Sequence, residues 1–228
     1  MQSFLIIAAK DLKQEFRTKQ MLNSMVFFAL LVVIIFSFSF KDIIYNTEKV
    51  TQLAPGMLWI TFTFAGMLGI SRSFASEMED GCLDALRLLP IDRSSIYVGK
   101  FIANCIIMFI VEIVSIPAFI ILFDYPLSGA NIAGLAIVAV LGTIGFISVG
   151  TLLSALTVNA KTREILLPVI IFPVILPMLA DAVAVTGLIL SGASVFEAAA
   201  VAKIRLIFMY DIVYFVAASL LFEYAIEG

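Results

Sequence analysis

The 228-residue chain contains no histidine. Histidine is the usual general base, a leading zinc ligand and the commonest axial ligand of haem, so its absence removes the ordinary basis of hydrolytic, zinc-dependent and haem-ligating chemistry. The chain has two cysteines, Cys82 and Cys105, which fall on different segments and match no metal-binding or redox spacing. We interpret both as ordinary small apolar residues. The sequence therefore predicts no catalytic residue and no metal site.

Charge is also scarce, at 14% of residues, whereas hydrophobic residues make up 62%. Soluble globular proteins carry about 25% charged residues, so this chain has too few polar groups to cover a water-soluble particle. The net charge of −3 and the lack of a basic cluster exclude a nucleic-acid partner. A phosphate-binding loop of the form G-x-x-x-x-G-K-[ST] is missing as well. The chain is thus not expected to hydrolyse ATP, and energy must come from a partner or an ion gradient.

The sequence contains long apolar runs instead. Six segments reach the roughly 20 residues that a helix needs to cross a bilayer: 21–40, 50–71, 97–123, 132–158, 165–190 and 206–224. They predict an all-α integral membrane protein with one transmembrane domain, residues 1–228, in contact with membrane lipid. Ten of the fourteen basic residues fall on the side of the N-terminus. The positive-inside rule then places the N- and C-termini in the cytoplasm.

Two shorter helices are predicted outside the spans. Residues 1–20 repeat an apolar side chain every four residues, from Phe4 to Phe16, in a charged background. This pattern is typical of an amphipathic helix that lies on the membrane surface. Ser194 and Glu197 have the spacing of a capping box. They predict a short helix on the outer face, residues 194–204, before the sixth span.

Polar and helix-breaking residues within the spans are candidates for a transport path: Glu112, Pro173, Pro177, Asp181 and Asp211. The carboxylates are costly in lipid and are functional candidates for that reason, although a structural hydrogen bond would also account for them. The two prolines, with Pro168, remove backbone donors from span five. Such a helix either unwinds to line a cavity or kinks as a packing element. Span four is rich in glycine, which predicts a closely packed neighbour.

The stretch of residues 74–90, between spans two and three, is the most informative inner segment. Acidic residues open it, Pro90 ends it, and Phe74, Met78, Leu86 and Leu89 are apolar positions in a charged helical background. A short amphipathic helix of this kind suits docking into a groove of a cytosolic partner. The alternative is a lid on lipid headgroups, which the acidic start disfavours because headgroups attract basic helices.

The same stretch carries a pattern with a family resemblance: Phe74-x-x-Glu77-x-x-x-Gly81-x-Leu83-Asp84-x-Leu86-x-x-Leu89-Pro90. Two further patterns lie at the ends of the chain: Ile7-x-Ala9-Lys10-Asp11-Leu12-x-x-Glu15-Phe16-Arg17, and Tyr210-Asp211-x-x-Tyr214-x-x-x-x-Ser219-Leu220-Leu221-Phe222-x-Tyr224. Together they resemble the CcmB family, the permease subunits of the haem exporter of cytochrome c maturation. With six spans, the resemblance covers essentially the whole chain.

The resemblance implies an exporter permease of the ABC-2 type in a prokaryotic inner membrane. It implies a second copy of the chain, a cytosolic ATP-binding cassette subunit that carries the ATP, a haem-handling membrane subunit and a haem chaperone, with haem b as the substrate. The coupling helix to the ATPase would be residues 74–90, with these contacts: Phe74, Glu77, Glu79, Gly81, Leu83, Asp84, Leu86, Leu89 and Pro90. Two alternatives stay open: an exporter of another lipid-like or drug-like molecule, and a non-transporting scaffold that anchors the ATPase.

Overall fold

The computed structural model describes residues 3–41, 46–79, 92–126, 129–158, 160 and 162–227. Within these ranges the chain forms seven helices and no strand: α1 (Ser3–Thr18), α2 (Gln20–Ser39), α3 (Thr47–Glu79), α4 (Arg93–Leu122), α5 (Gly129–Thr157), α6 (Arg163–Leu190) and α7 (Ala198–Glu227). The helices α2 to α7 are long and apolar enough to cross a bilayer. Even α2, with 20 residues, extends about 30 Å at 1.5 Å per residue. The prediction of an all-α membrane protein with six spans is confirmed.

The helices α3 and α5 form the centre of the bundle. They pack against each other, and both contact α4 and α6. The helix α2 covers α3 and α4, whereas α7 packs on α5, α6 and α4. Because the chain crosses the bundle six times, the last turns of α3, α5 and α7 lie at the same end as α1. We call this the α1 end, and the other the opposite end.

A tryptophan and a glycine bring the two central helices close together. The indole ring of Trp59 on α3 lies against Gly142 on α5, where an added Cβ atom would overlap the ring. The Trp59 Nε1–H donates a hydrogen bond to Thr186 Oγ1 of α6 at 2.9 Å, which connects a third helix to this contact. The glycine-rich span therefore has the close neighbour that its composition predicts.

The end of α3 differs from the predicted boundary. We predicted that span two ends at residue 71 and that a separate helix begins at Phe74, but α3 continues without interruption to Glu79. The physical reason is that residues 71–79 contain no proline or glycine to end a helix. The predicted coupling positions Gly81, Leu83, Asp84, Leu86, Leu89 and Pro90 lie outside the described residues.

The start of α7 also differs from the prediction. Ala198 begins a helix that runs unbroken to Glu227, so residues 194–204 do not form a separate outer helix. Nothing between residues 198 and 206 breaks a helix, since the stretch is mainly alanine and other good helix formers. The capping contact itself is present: the Ser194 backbone N–H donates to Glu197 Oε1 at 3.0 Å. It precedes the membrane-spanning helix directly.

The three prolines of α6 leave its helix intact. Pro168, Pro173 and Pro177 all lie inside the continuous helix Arg163–Leu190. Pro173 and Pro177 are exposed on the outside of the bundle. The structure thus contains a packed helix at this position, and the unwound alternative is not formed.

Candidate functional site

Three segments that are far apart in the sequence meet at the α1 end. Ile7 of α1, Phe74 of α3 and Phe222 of α7 are buried in one apolar cluster. The rings of Phe74 and Phe222 lie 6.1 Å apart between centroids. We call this cluster the junction, and it is completed by six further residues: Ile96, Tyr97, Leu152, Ala155, Val158 and Ala218. The junction therefore packs α1 and the ends of α3, α4, α5 and α7 together.

A buried lysine adds a charged contact beside the junction. Lys100 of α4 is only 1% exposed, and its Nζ atom lies 3.3 Å from Asp11 Oδ2 of α1. The same Nζ donates to the backbone carbonyl of Ser73 at 3.5 Å and lies 4.5 Å from the centre of the Phe74 ring. A buried ammonium group needs such partners because its desolvation is expensive. Lys100 thus connects α1, α4 and the end of α3.

The helix α1 is held against α4 by a close approach at Gly99. An added Cβ atom there would lie 2.8 Å from both the Ile7 Cβ atom and the Phe4 carbonyl oxygen. Ile7 and Ala8 are the buried residues of α1, and they lie on the face that contacts the bundle. The predicted amphipathic helix of residues 1–20 is present as Ser3–Thr18. Its apolar face is used, at least in part, for packing on protein.

The first predicted coupling residue, Phe74, is part of the junction. Phe74 is 2% exposed. Glu77 and Glu79 lie on the last helical turns of α3, directly beyond it. The sequence analysis missed the contact between Lys100 and Asp11. The signal for that link was the single lysine in an otherwise apolar stretch, which requires a counter-charge.

Two of the predicted transport-path carboxylates are buried in the bundle. Glu112 of α4 and Asp211 of α7 are each 4% exposed. The Thr143 hydroxyl of α5 donates a hydrogen bond to Glu112 Oε1. Neither carboxylate oxygen of Asp211 has a hydrogen-bond partner among the described residues. Cys105, also on α4, is buried as well.

The other predicted path residues lie elsewhere. Asp181 of α6 forms an ion pair with Lys203 of α7, with 2.8 Å between Oδ1 and Nζ, in the half of the bundle farther from α1. Pro173 and Pro177 face outward. The structure therefore does not bring the five residues into one site. In the described part of the chain, no group of three or more Cys, Asp or Glu residues is placed to hold a metal ion.

The fold defines a multi-pass, all-α membrane protein with a charged and aromatic junction at one end. The chain belongs to the CcmB family: the family model described as "CcmB protein" matches residues 2–227. This confirms the resemblance found in the sequence.

Relatives carry the name "Heme exporter protein B". The protein from Rhodobacter capsulatus is 32% identical over 132 residues, which cover 58% of this chain and 60% of that protein. The Pseudomonas aeruginosa protein is 26% identical over 177 residues, 77% of each chain. The Escherichia coli K12 protein is 24% identical over 174 residues, 76% of this chain and 77% of the other. The chain thus spans less than two thirds of the first of these relatives and about three quarters of the others.

Proposed function

We propose that the chain is the permease subunit of a haem exporter, with haem b as its substrate and a separate ATP-binding cassette subunit as its energy source. The observation that carries this proposal is the family match over residues 2–227, together with relatives named as haem exporters. Six apolar helices support a role in or across the membrane. The chemistry of ATP hydrolysis is assigned to the partner, because the chain has no phosphate-binding loop.

The α1 end is proposed to face the cytoplasm of a prokaryotic inner membrane. Ten of the fourteen basic residues lie in the N-terminal segment and in the connections predicted on the same side of the membrane. The positive-inside rule places such connections in the cytoplasm. The segment of residues 74–90 would then meet the ATPase, with Glu77 and Glu79 leading out of α3. An acidic helix end suits a basic groove on a soluble partner better than an anionic lipid surface.

The contacts of the junction support transmission of movement from the ATPase to the membrane-spanning helices. Phe74 packs on Phe222 of α7, and Lys100 joins the end of α3 to α1. A push on the last turns of α3 would be passed to α1, α4 and α7 through these contacts, because packed side chains and ion pairs carry coupling between elements. In the proposed complex this movement opens a cleft between two copies of the chain. A haem-handling membrane subunit and a haem chaperone receive the substrate.

Reversing the charge of Glu77 tests the proposed contact with the ATPase most directly. We expect the Glu77→Lys variant to reach the membrane at normal levels but to lose the ATPase subunit on purification in mild detergent, since the charge proposed to bind the partner is reversed. The measurement is mass spectrometry of the subunits that co-purify with the tagged chain, alongside the yield of mature cytochrome c. Both should fall at least tenfold, the effect of about 1.4 kcal/mol in binding.

The matched control is Glu48→Lys at the opposite end of the same helix, where Glu48 is exposed. This variant should retain the ATPase. Normal ATPase recovery with Glu77→Lys would remove the coupling role of this residue, and no ATPase with either the parent or the variants would contradict the transporter itself. ATPase activity that does not change when haem is added would favour another lipid-like or drug-like substrate. An ATPase complex that moves no haem across sealed vesicles would favour the scaffold.

A further inference from the structure

Asp211 lies at the middle of the candidate membrane span Ala198–Tyr224, where an ionised group would be most expensive. It is midway between Ala198 and Tyr224, about 20 Å along the helix from either residue. Its side chain faces inward and is 4% exposed. The two carboxylate oxygens are buried and have no hydrogen-bond partner among the described residues. An isolated carboxylate in such a place is strongly disfavoured.

Among the described residues, no positively charged group is placed beside Asp211. On α5, Gly145 lies directly against the carboxyl group, and an added Cβ there would overlap Asp211 Oδ1 and the Met178 sulfur of α6. The helix α5 contains no ionisable residue at all. The ionisable groups near Asp211 are the Cys105 thiol of α4 and the Tyr210 and Tyr214 phenols of α7 itself.

The basic residues of the neighbouring helices are paired or lie several turns away, and Lys100 of α4 is paired with Asp11. On α6 the ionisable residues are Arg163 and Glu164, at its first turn, and Asp181, which is paired with Lys203. Arg205 lies six residues before Asp211, about 9 Å along α7. Glu112 of α4 is another acid, held by Thr143. The groups that face Asp211 therefore cannot compensate a negative charge.

A metal cation does not fit this place either. Hard cations require several oxygen ligands, whereas Asp211 Oδ1 is bordered by Gly145 and the Met178 thioether. A proton needs no further ligand, because it converts the carboxylate into a neutral group that a membrane core tolerates. We propose that Asp211 is a proton-binding site at mid-membrane depth, and that its carboxyl group is protonated at neutral pH while α7 is packed on α5. Release of this proton would require water to reach the contact between the two helices.

Infrared spectroscopy of the full chain in lipid nanodiscs tests the proposal without any transport assay. The chain is produced with aspartate labelled by carbon-13 at the side-chain carboxyl group, so that aspartate signals separate from those of Glu112. At neutral pH we expect a carbonyl band from one protonated aspartate in the parent. The band should be lost in Asp211→Asn, whose amide closely mimics the neutral acid in shape.

The matched control is Asp181→Asn. It removes a carboxylate that is paired with Lys203 and half-buried in a neighbouring helix, so the protonated band should remain. Only ionised aspartate in the parent would overturn the proposal, and this outcome does not require any variant to fold. A protonated band that persists in Asp211→Asn would overturn the assignment to this residue. Neither outcome depends on haem or on an ATPase, so the proposed function is tested separately.

Discussion

Lys100→Glu is expected to destabilise the protein far more than Lys10→Glu, although both lysines lie beside Asp11. The Nζ atoms of Lys10 and Lys100 are 3.2 and 3.3 Å from the two Asp11 oxygens. The Lys10 side chain is 44% exposed and that of Lys100 only 1%. Breaking a buried pair costs about 3–5 kcal/mol because a charge is left without compensation. An exposed pair contributes below about 1 kcal/mol.

The free energy of unfolding in mild detergent, titrated with a denaturing detergent and followed by the fluorescence of Trp59, measures this difference. A double variant, Lys100→Met with Asp11→Leu, removes both charges and keeps the volume, so it should recover most of the lost stability. Equal losses for Lys10→Glu and Lys100→Glu would contradict a buried role for Lys100. If the double variant does not recover stability, the contacts of Lys100 with Ser73 and Phe74 contribute more to the free energy of unfolding than its ion pair with Asp11.

Gly142→Leu is expected to separate the two central helices. The first atom of any side chain at this position would overlap the Trp59 ring, which cannot move freely because Thr186 holds its Nε1–H. Overpacking of a tight core costs about 1–3 kcal/mol, and a four-carbon side chain against a rigid ring should reach or exceed the upper value. We expect low recovery of folded protein and a shifted Trp59 emission.

Gly56→Leu provides the control for glycine replacement in the bundle. Gly56 lies on α3, and a Cβ atom added there would have no neighbouring atom within 4 Å. Leucine is also a better helix former than glycine by roughly 0.8 kcal/mol, so this variant should be as stable as the parent or more so. Adding Trp59→Leu to Gly142→Leu should restore folding by removing the overlap. Normal stability of Gly142→Leu alone would refute the close contact between α3 and α5.

The junction shows where sequence reasoning stops. Phe74 and Phe222 belong to different patterns in the sequence. Their rings are in contact although most of the chain lies between them in sequence. Lys100 and Asp11 are 89 residues apart. No local periodicity specifies such pairs, because they depend on which helices become neighbours. The boundaries predicted for span two and for a separate helix at 194–204 differ from the structure for a related reason: composition indicated a change from lipid to water, but residues 71–79 and 198–206 contain no proline or glycine that would end a helix.

The six membrane-spanning helices could be predicted from the sequence alone. In lipid each span must satisfy its own backbone hydrogen bonds, so length and apolar composition suffice to define it. The central position of α3 and α5 and the docking of α1 by Lys100 and Asp11 are visible only in the folded chain. The same holds for the carboxylates: Asp211 is buried without a partner among the described residues, whereas Asp181 has Lys203. These features arise from packing between helices, where a single side chain's surroundings come from several distant segments at once.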